Sequence, residues 1–175
     1  MRDKSLLKSS GGILHGYSVT PTSHIKKIFS LLDITEKDSF LDIGCGKGFV
    51  LSKVVNFPYN KIAGLDIQSG LITIAKQNME RLKLQNRICL FVEDATIFKH
   101  YGEYNHFFLF NPFDASIMKP VLEKIIDTHK QEKELTIIYY NPTCHDIIMQ
   151  TGQFKLVHDF FDPIKGYKTH IYKSI

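Results

Sequence analysis

The sequence predicts an α/β domain built on an open, mostly parallel sheet, and three observations predict it. Short apolar runs of strand length, such as SFLDI, KIAGLDI and HFFLF, alternate with segments whose apolar residues recur at helical spacing. A glycine-dense loop, Gly44, Gly46 and Gly48, directly follows the first of these runs. The tail breaks the alternation: GQFKLVHDFF and YKTHIYK are separated by Asp162, Pro163 and Gly166, the pattern of two antiparallel strands.

Taken in order, Ile25, Ile28, Phe29 and Leu32 mark a leading helix after the start signals Thr20-Pro21-Thr22. SFLDI (39–43) is the first strand, and FVLSKVVNF after the glycines is a helix ended by Pro58. KIAGLDI (61–67) is the second strand. Leu71, Ile72, Ala75, Met79 and Leu82 then form an amphipathic helix with Ser69 near its N-cap. ICLFV (88–92), YNHFFLF (104–110) and ELTIIYY (134–140) are strands three to five, with helices at 117–129 and 145–150. Parallel neighbours need crossovers, which the intervening helices supply.

A chain of 175 residues suits one hydrophobic core. Residues 1–12, with Ser9, Ser10, Gly11 and Gly12, read as a mobile arm, and 13–175 as a single domain. No apolar run approaches the ~20 residues that span a bilayer, and the N-terminus lacks the apolar core of a signal peptide, so a soluble cytoplasmic protein without membrane partners is expected. Cys45, Cys89 and Cys144 are odd in number and far apart, which excludes a disulfide framework or a CxxC pair. The histidines match no metal-ligand spacing, so no metal is expected. A net charge of +4, from 22 basic and 18 acidic residues, is diffuse and only weakly suggests an anionic partner.

The glycine loop reads Asp42-Ile43-Gly44-Cys45-Gly46-Lys47-Gly48. A P-loop needs a hydroxyl residue after its lysine, and Lys47 is followed by Gly48. A dinucleotide fingerprint needs a small residue where Phe49 stands, and the chain contains no Tyr-x-x-x-Lys pair for hydride chemistry. A loop for S-adenosylmethionine, with an acidic residue on the strand two positions before the first glycine, remains.

From these residues onward the sequence resembles class I, Rossmann-like S-adenosylmethionine-dependent methyltransferases of the small single-domain bacterial type. The resemblance covers roughly 17–172, with its motifs between Phe40 and Phe113. It implies a three-layer sandwich around a seven-stranded sheet of order 3-2-1-4-5-7-6, which accounts for the terminal hairpin. It also implies S-adenosyl-L-methionine as cofactor. Asp42, Gly44, Cys45 and Gly46 would approach the methionine end, and Asp66 would accept bonds from the ribose diol. Asp94, in Glu93-Asp94-Ala95, would meet the adenine amino group, with Ile67 and Ala95 on the adenine faces. Upstream, GYSVTPTSHI resembles a segment whose Tyr17 and Thr20 would cap the methionine end; equally, Thr20 and Pro21 simply start a helix.

Asn111, Pro112 and Phe113 follow the fourth strand, where this family faces the methyl group and acceptor. Phe110 to Phe113 resembles the [DN]-P-P-[FYW] motif of amine-methylating members but lacks one proline, which puts amine specificity in question. The resemblance implies that Asn111 orients an amine and also borders the cofactor; the alternative is that Asn111 and Pro112 only end a strand. Tyr139 and Tyr140 would border the acceptor or lie in the core. Direct in-line transfer to an amine, of protein lysine or another molecule, is the expected activity. RNA methylation and a non-catalytic binding module are the alternatives; the acceptor class (protein, small molecule or RNA) is not legible.

Overall fold

The computed structural model describes residues 8–9, 12–13, 19–128 and 133–175. The expected mobile arm lies mostly outside them; Lys8–Ser9, within it, pairs antiparallel with Gly12–Ile13 at its boundary with the domain. The following elements are α1 (Thr22–Ser30), β1 (Ser39–Ile43), α2 (Leu51–Val54), β2 (Lys61–Asp66), α3 (Ser69–Arg81) and β3 (Cys89–Val92). A 3-10 turn (Tyr101–Glu103), β4 (His106–Phe110), α4 (Ala115–Thr128), β5 (Thr136–Tyr140), α5 (His145–Gln150), β6 (Phe154–Phe161) and β7 (Lys168–Ser174) complete the chain. The strands form one seven-stranded sheet, β3-β2-β1-β4-β5-β7-β6. The first five pair in parallel, and β7 runs antiparallel to both β5 and β6. The order is the one the resemblance implied, and the closing hairpin is the one read from the tail of the sequence.

Strand alternation sorts the core into two layers, one on each sheet face. Leu41, Leu65, Leu109, Ile137 and Tyr139 pack with Met118, Val121 and Ile125 of α4 and with Ile148 of α5. Phe40, Ile62, Phe108, Ile138 and Tyr140 pack with Ile25 and Phe29 of α1, Val54 of α2, and Ile72 and Met79 of α3. β1 and β5 are buried along their whole length, as central strands covered on both faces must be.

Several boundaries move. The helix after the glycine loop is short: α2 stops at Val54, four residues before Pro58. Its last turn tightens into three-residue spacing, Asn56 N–H to Lys53 O and Phe57 N–H to Val54 O, and the Asn56 side chain caps the Lys53 carbonyl at 3.1 Å. At α3 the N-cap is Gln68 rather than Ser69, with no side-chain cap bond. α4 begins earlier than expected because Asp114 caps it, accepting from the Ser116 N–H at 3.0 Å.

At the N-terminal edge of the sheet, the Asn105 Oδ1 accepts from Ser39 N–H at 2.8 Å, and the Asn105 Nδ2 donates to Asp38 at 2.8 Å. Beside it, buried His106 shares a 2.8 Å hydrogen bond with the Tyr59 hydroxyl. Burial pushes the His106 pKa from 6.5 down to about 4. The unfolded chain therefore binds a proton that the fold resists. This contribution to stability is intact above pH 6.5 and is lost as pH falls toward 4, by roughly 3 kcal/mol across the window. Urea unfolding of wild type and His106→Gln near about pH 7 and about pH 5 checks this, because the acid loss must shrink in the variant.

Candidate active site

The site lies at the carboxyl ends of β1, β2, β3 and β4, where open α/β sheets hold ligands. The loop after β1 turns back onto β2: Gly44 and Cys45 N–H both donate to the Leu65 carbonyl, at 2.8 and 3.0 Å. Gly44 adopts φ +79°, and a Cβ there would lie 2.8 Å from the Cβ of Pro112. Glycine is thus required twice over, by backbone conformation and by the contact between the first and fourth loops. Gly64 on β2 serves the same approach from below, since a Cβ there would meet Leu51 at 2.6 Å and Cys45 at 2.8 Å.

Asp66 ties these loops together. Its Oδ2 accepts from Gly46 N–H at 3.0 Å and its Oδ1 from Gln68 N–H at 2.9 Å. Each oxygen keeps a second lone pair, which is what a ribose diol requires. Asp94 accepts from the Thr96 N–H and hydroxyl, both at 2.8 Å, and the Ala95 carbonyl accepts from the Tyr101 hydroxyl at 2.8 Å. The loop after β3 is therefore a closed turn with its carboxylate at the cavity.

One cavity gathers Thr20, Asp42, Gly44, Cys45, Gly46 and Asp66 with Ile67, Asp94, Ala95, Pro112 and Phe113. Four carboxylates, Asp42, Asp66, Glu93 and Asp94, line it, and among the described residues no lysine, arginine or histidine does. That charge balance disfavours a phosphate-bearing ligand and suits a cationic one. Burial raises the Asp42 pKa well above the carboxylate range, and the neighbouring Asp66 raises it further. Asp66 is raised by burial too, offset by the amides of Gln68 and Gly46. A sulfonium and an ammonium would relieve both. Burial and the two aspartates push the Cys45 thiol up, so it is no nucleophile. Thr20 is 1 % exposed, and its hydroxyl has no partner among the described residues, an orphan donor at the cavity wall. Glycine cradle, carboxylate set and orphan hydroxyl all fit S-adenosylmethionine.

Asn111 stands apart. It is buried at φ +40°, outside the residues lining the cavity, and its Oδ1 accepts from the Thr143 hydroxyl at 2.6 Å and the Tyr139 hydroxyl at 3.2 Å. Asn141, at the end of β5, takes the same left-handed conformation at φ +56°, also before a proline. Asparagine enters that region readily, and the proline cannot continue the strand. Tyr139 and Tyr140 are both fully buried, on opposite sheet faces. Tyr17 lies outside the described residues.

Sequence reading missed apolar lining residues, among them Val19, Phe49, Leu71, Phe108 and Ile117. For Phe108 a signal existed: it shares the face of Phe110 on β4, two positions on, and β4 pairs with β1.

A family model described as a methyltransferase domain matches residues 34–166. The ribosomal protein L11 methyltransferase of Thermotoga maritima is 24% identical over 80 residues, 46% of this chain and 30% of that protein. The match thus spans under a third of that relative's length. Among solved structures, an RNA methyltransferase from Salinibacter ruber, in complex with S-adenosyl-L-homocysteine, superposes with TM-score 0.65 at 14% identity, covering 90% of this chain and 94% of its own. The ribosomal protein L11 methylase of Lactobacillus delbrueckii subsp. bulgaricus reaches TM-score 0.69 at 12% identity, covering 90% and 80%. The structural likenesses show a shared fold, and the family model spans most of the sequence. The chain belongs to the methyltransferase-domain family.

Proposed function

We propose that this chain methylates a nitrogen, on a protein lysine or another amine, with S-adenosylmethionine held in the carboxylate-lined cavity. When bound, the cofactor supplies a sulfonium methyl: the N–C bond forms, the S–C bond breaks, sulfur keeps the electron pair and nitrogen takes the charge. The protein aligns and dehydrates. Asp42 and Asp66 hold the cofactor's cationic and ribose parts, Asp94 and Ala95 border the adenine with Ile67, and Thr20 closes the methionine end. Tyr17, which precedes this segment, is proposed for the same end.

The observation that carries the nitrogen reading is the loop after β4, which places Pro112 and Phe113 on the cavity wall in contact with the glycine loop. The Pro112 carbonyl is proposed to accept an N–H of the acceptor, and the Phe113 ring to limit its approach. Asn111, held by Tyr139 and Thr143, is proposed to position that loop rather than to touch the acceptor. An ordinary lysine has a pKa near 10.4, so desolvation at this apolar wall must help it lose a proton before attack.

RNA as acceptor is the second reading, supported by the basic net charge of +4 and by the activity named for the Salinibacter ruber structure. Incubation with methyl-labelled cofactor and a fractionated lysate separates the two. Acid-stable label on lysine or a small amine is expected; label confined to RNA would reject the amine reading.

A further inference from the structure

We propose that the acceptor amine passes over the partly exposed rings of Phe110 and Tyr167, which pack edge-on against each other, and that Tyr167, on the β6–β7 turn, favours an aliphatic amine whose nitrogen becomes positive on transfer. This rests on the nitrogen reading above. Phe110 is the last residue of β4 and lines the cavity, half-buried. Its centroid lies 4.4 Å from that of Tyr140 and 6.0 Å from that of Tyr167, the latter pair edge-on at 65°. Tyr140 and Tyr167 are 5.6 Å apart at 72°. Tyr140 is fully buried behind the other two, whereas Phe110 and Tyr167 are both only partly covered.

The turn that carries Tyr167 is built, not loose. The Asp162 N–H donates to the Tyr167 carbonyl at 2.8 Å, and the Asp162 carbonyl accepts from Gly166 N–H at 2.8 Å. The fully buried Asp162 carboxylate accepts from Ile164 N–H at 2.9 Å through Oδ1, and from the Tyr140 hydroxyl through Oδ2. Burial acts to raise its pKa, but the Tyr140 hydroxyl and the Ile164 amide hold it below the usual range, so an anion sits behind the rings. Phe161 and Ile164, 57% and 66% exposed, flank the same turn and offer apolar surface to an aliphatic stem. During transfer, positive charge moves to the acceptor nitrogen. Aromatic faces stabilise that charge without supplying a base, and the same faces hold the methylammonium product.

The test uses choline and its uncharged carbon isostere, in which a tert-butyl group replaces the trimethylammonium, titrated into the protein saturated with S-adenosylhomocysteine. Wild type should prefer choline about tenfold, Tyr167→Phe should keep the preference, and Tyr167→Leu should abolish it. Phe110→Leu, which also keeps apolar bulk, should lose the preference as well and serves if the turn variant fails to fold. Equal binding of the two probes by wild type, or an unchanged ratio in folded Tyr167→Leu, would overturn the proposal. Cofactor binding without amine methylation would instead overturn the nitrogen reading; amine methylation with an unchanged probe ratio would overturn only the subsite.

Discussion

Replacing Asp66 with alanine is expected to weaken S-adenosylmethionine binding by about tenfold to a hundredfold, the loss of one or more hydrogen bonds to a charged acceptor worth ~1.5–3 kcal/mol. The carboxylate is the common acceptor for Gly46 and Gln68, so the glycine loop loses an anchor as the ribose loses a partner. Thermal stability should change much less than binding. Burial raises the Asp66 pKa, so its charged form opposes folding, and removing it offsets the two amide bonds given up. Asp66→Asn keeps one acceptor oxygen and should fall between wild type and Asp66→Ala. Titration calorimetry gives the affinities and a thermal melt the stability; a variant that melts early and binds normally would refute the assignment.

Gly44→Ala is expected to damage both fold and site. At φ +79° an alanine costs about 1–2 kcal/mol from backbone conformation alone. Its Cβ would lie 2.8 Å from the Pro112 Cβ, and because Pro112 is rigid, the loop after β4 must move. The expected loss is about 2 kcal/mol or more, a fall of at least ~4 °C in Tm for a domain of this size, with turnover falling further than stability. Gly152→Ala is the control, since it shares a positive φ of +66° but has nothing within 4 Å of the added Cβ. If the two variants behaved alike, the contact between the first and fourth loops would carry no functional weight.

Much of this architecture was legible because central strands are covered on both faces. SFLDI reads as a short apolar run after Ser39 with one aspartate inside it, and that aspartate lines the cavity beside Ile43. Asp66 and Pro112 were readable for the same reason, each being a polar or chain-breaking residue where a buried strand ends, whereas Asp94 follows β3, a half-covered edge strand, and was readable from its place after the third apolar run. The end of α2 was not, because it depends on Asn56 capping a carbonyl three residues back rather than on Pro58. The setting of Asn111 was hidden too. Its partners Tyr139 and Thr143 lie on β5 and the loop after it, and only sheet pairing brings β5 beside β4. The contact of Tyr167 with Phe110 was invisible because a hairpin turn announces its shape through Asp162, Pro163 and Gly166, not which strand end it will lean against. The apolar lining suffers similarly: Leu71 and Ile117 read as ordinary helix-face residues until the strand ends converge on them.

The central claim is that a cavity lined by four carboxylates and no basic side chain among the described residues is built for a sulfonium cofactor. Calorimetric titration of the full chain with S-adenosylmethionine, beside ATP and NAD, tests it most directly. One-to-one binding of S-adenosylmethionine with no heat from the two phosphate-bearing nucleotides is the predicted result. No binding of S-adenosylmethionine, or binding of ATP or NAD with comparable affinity, would contradict it.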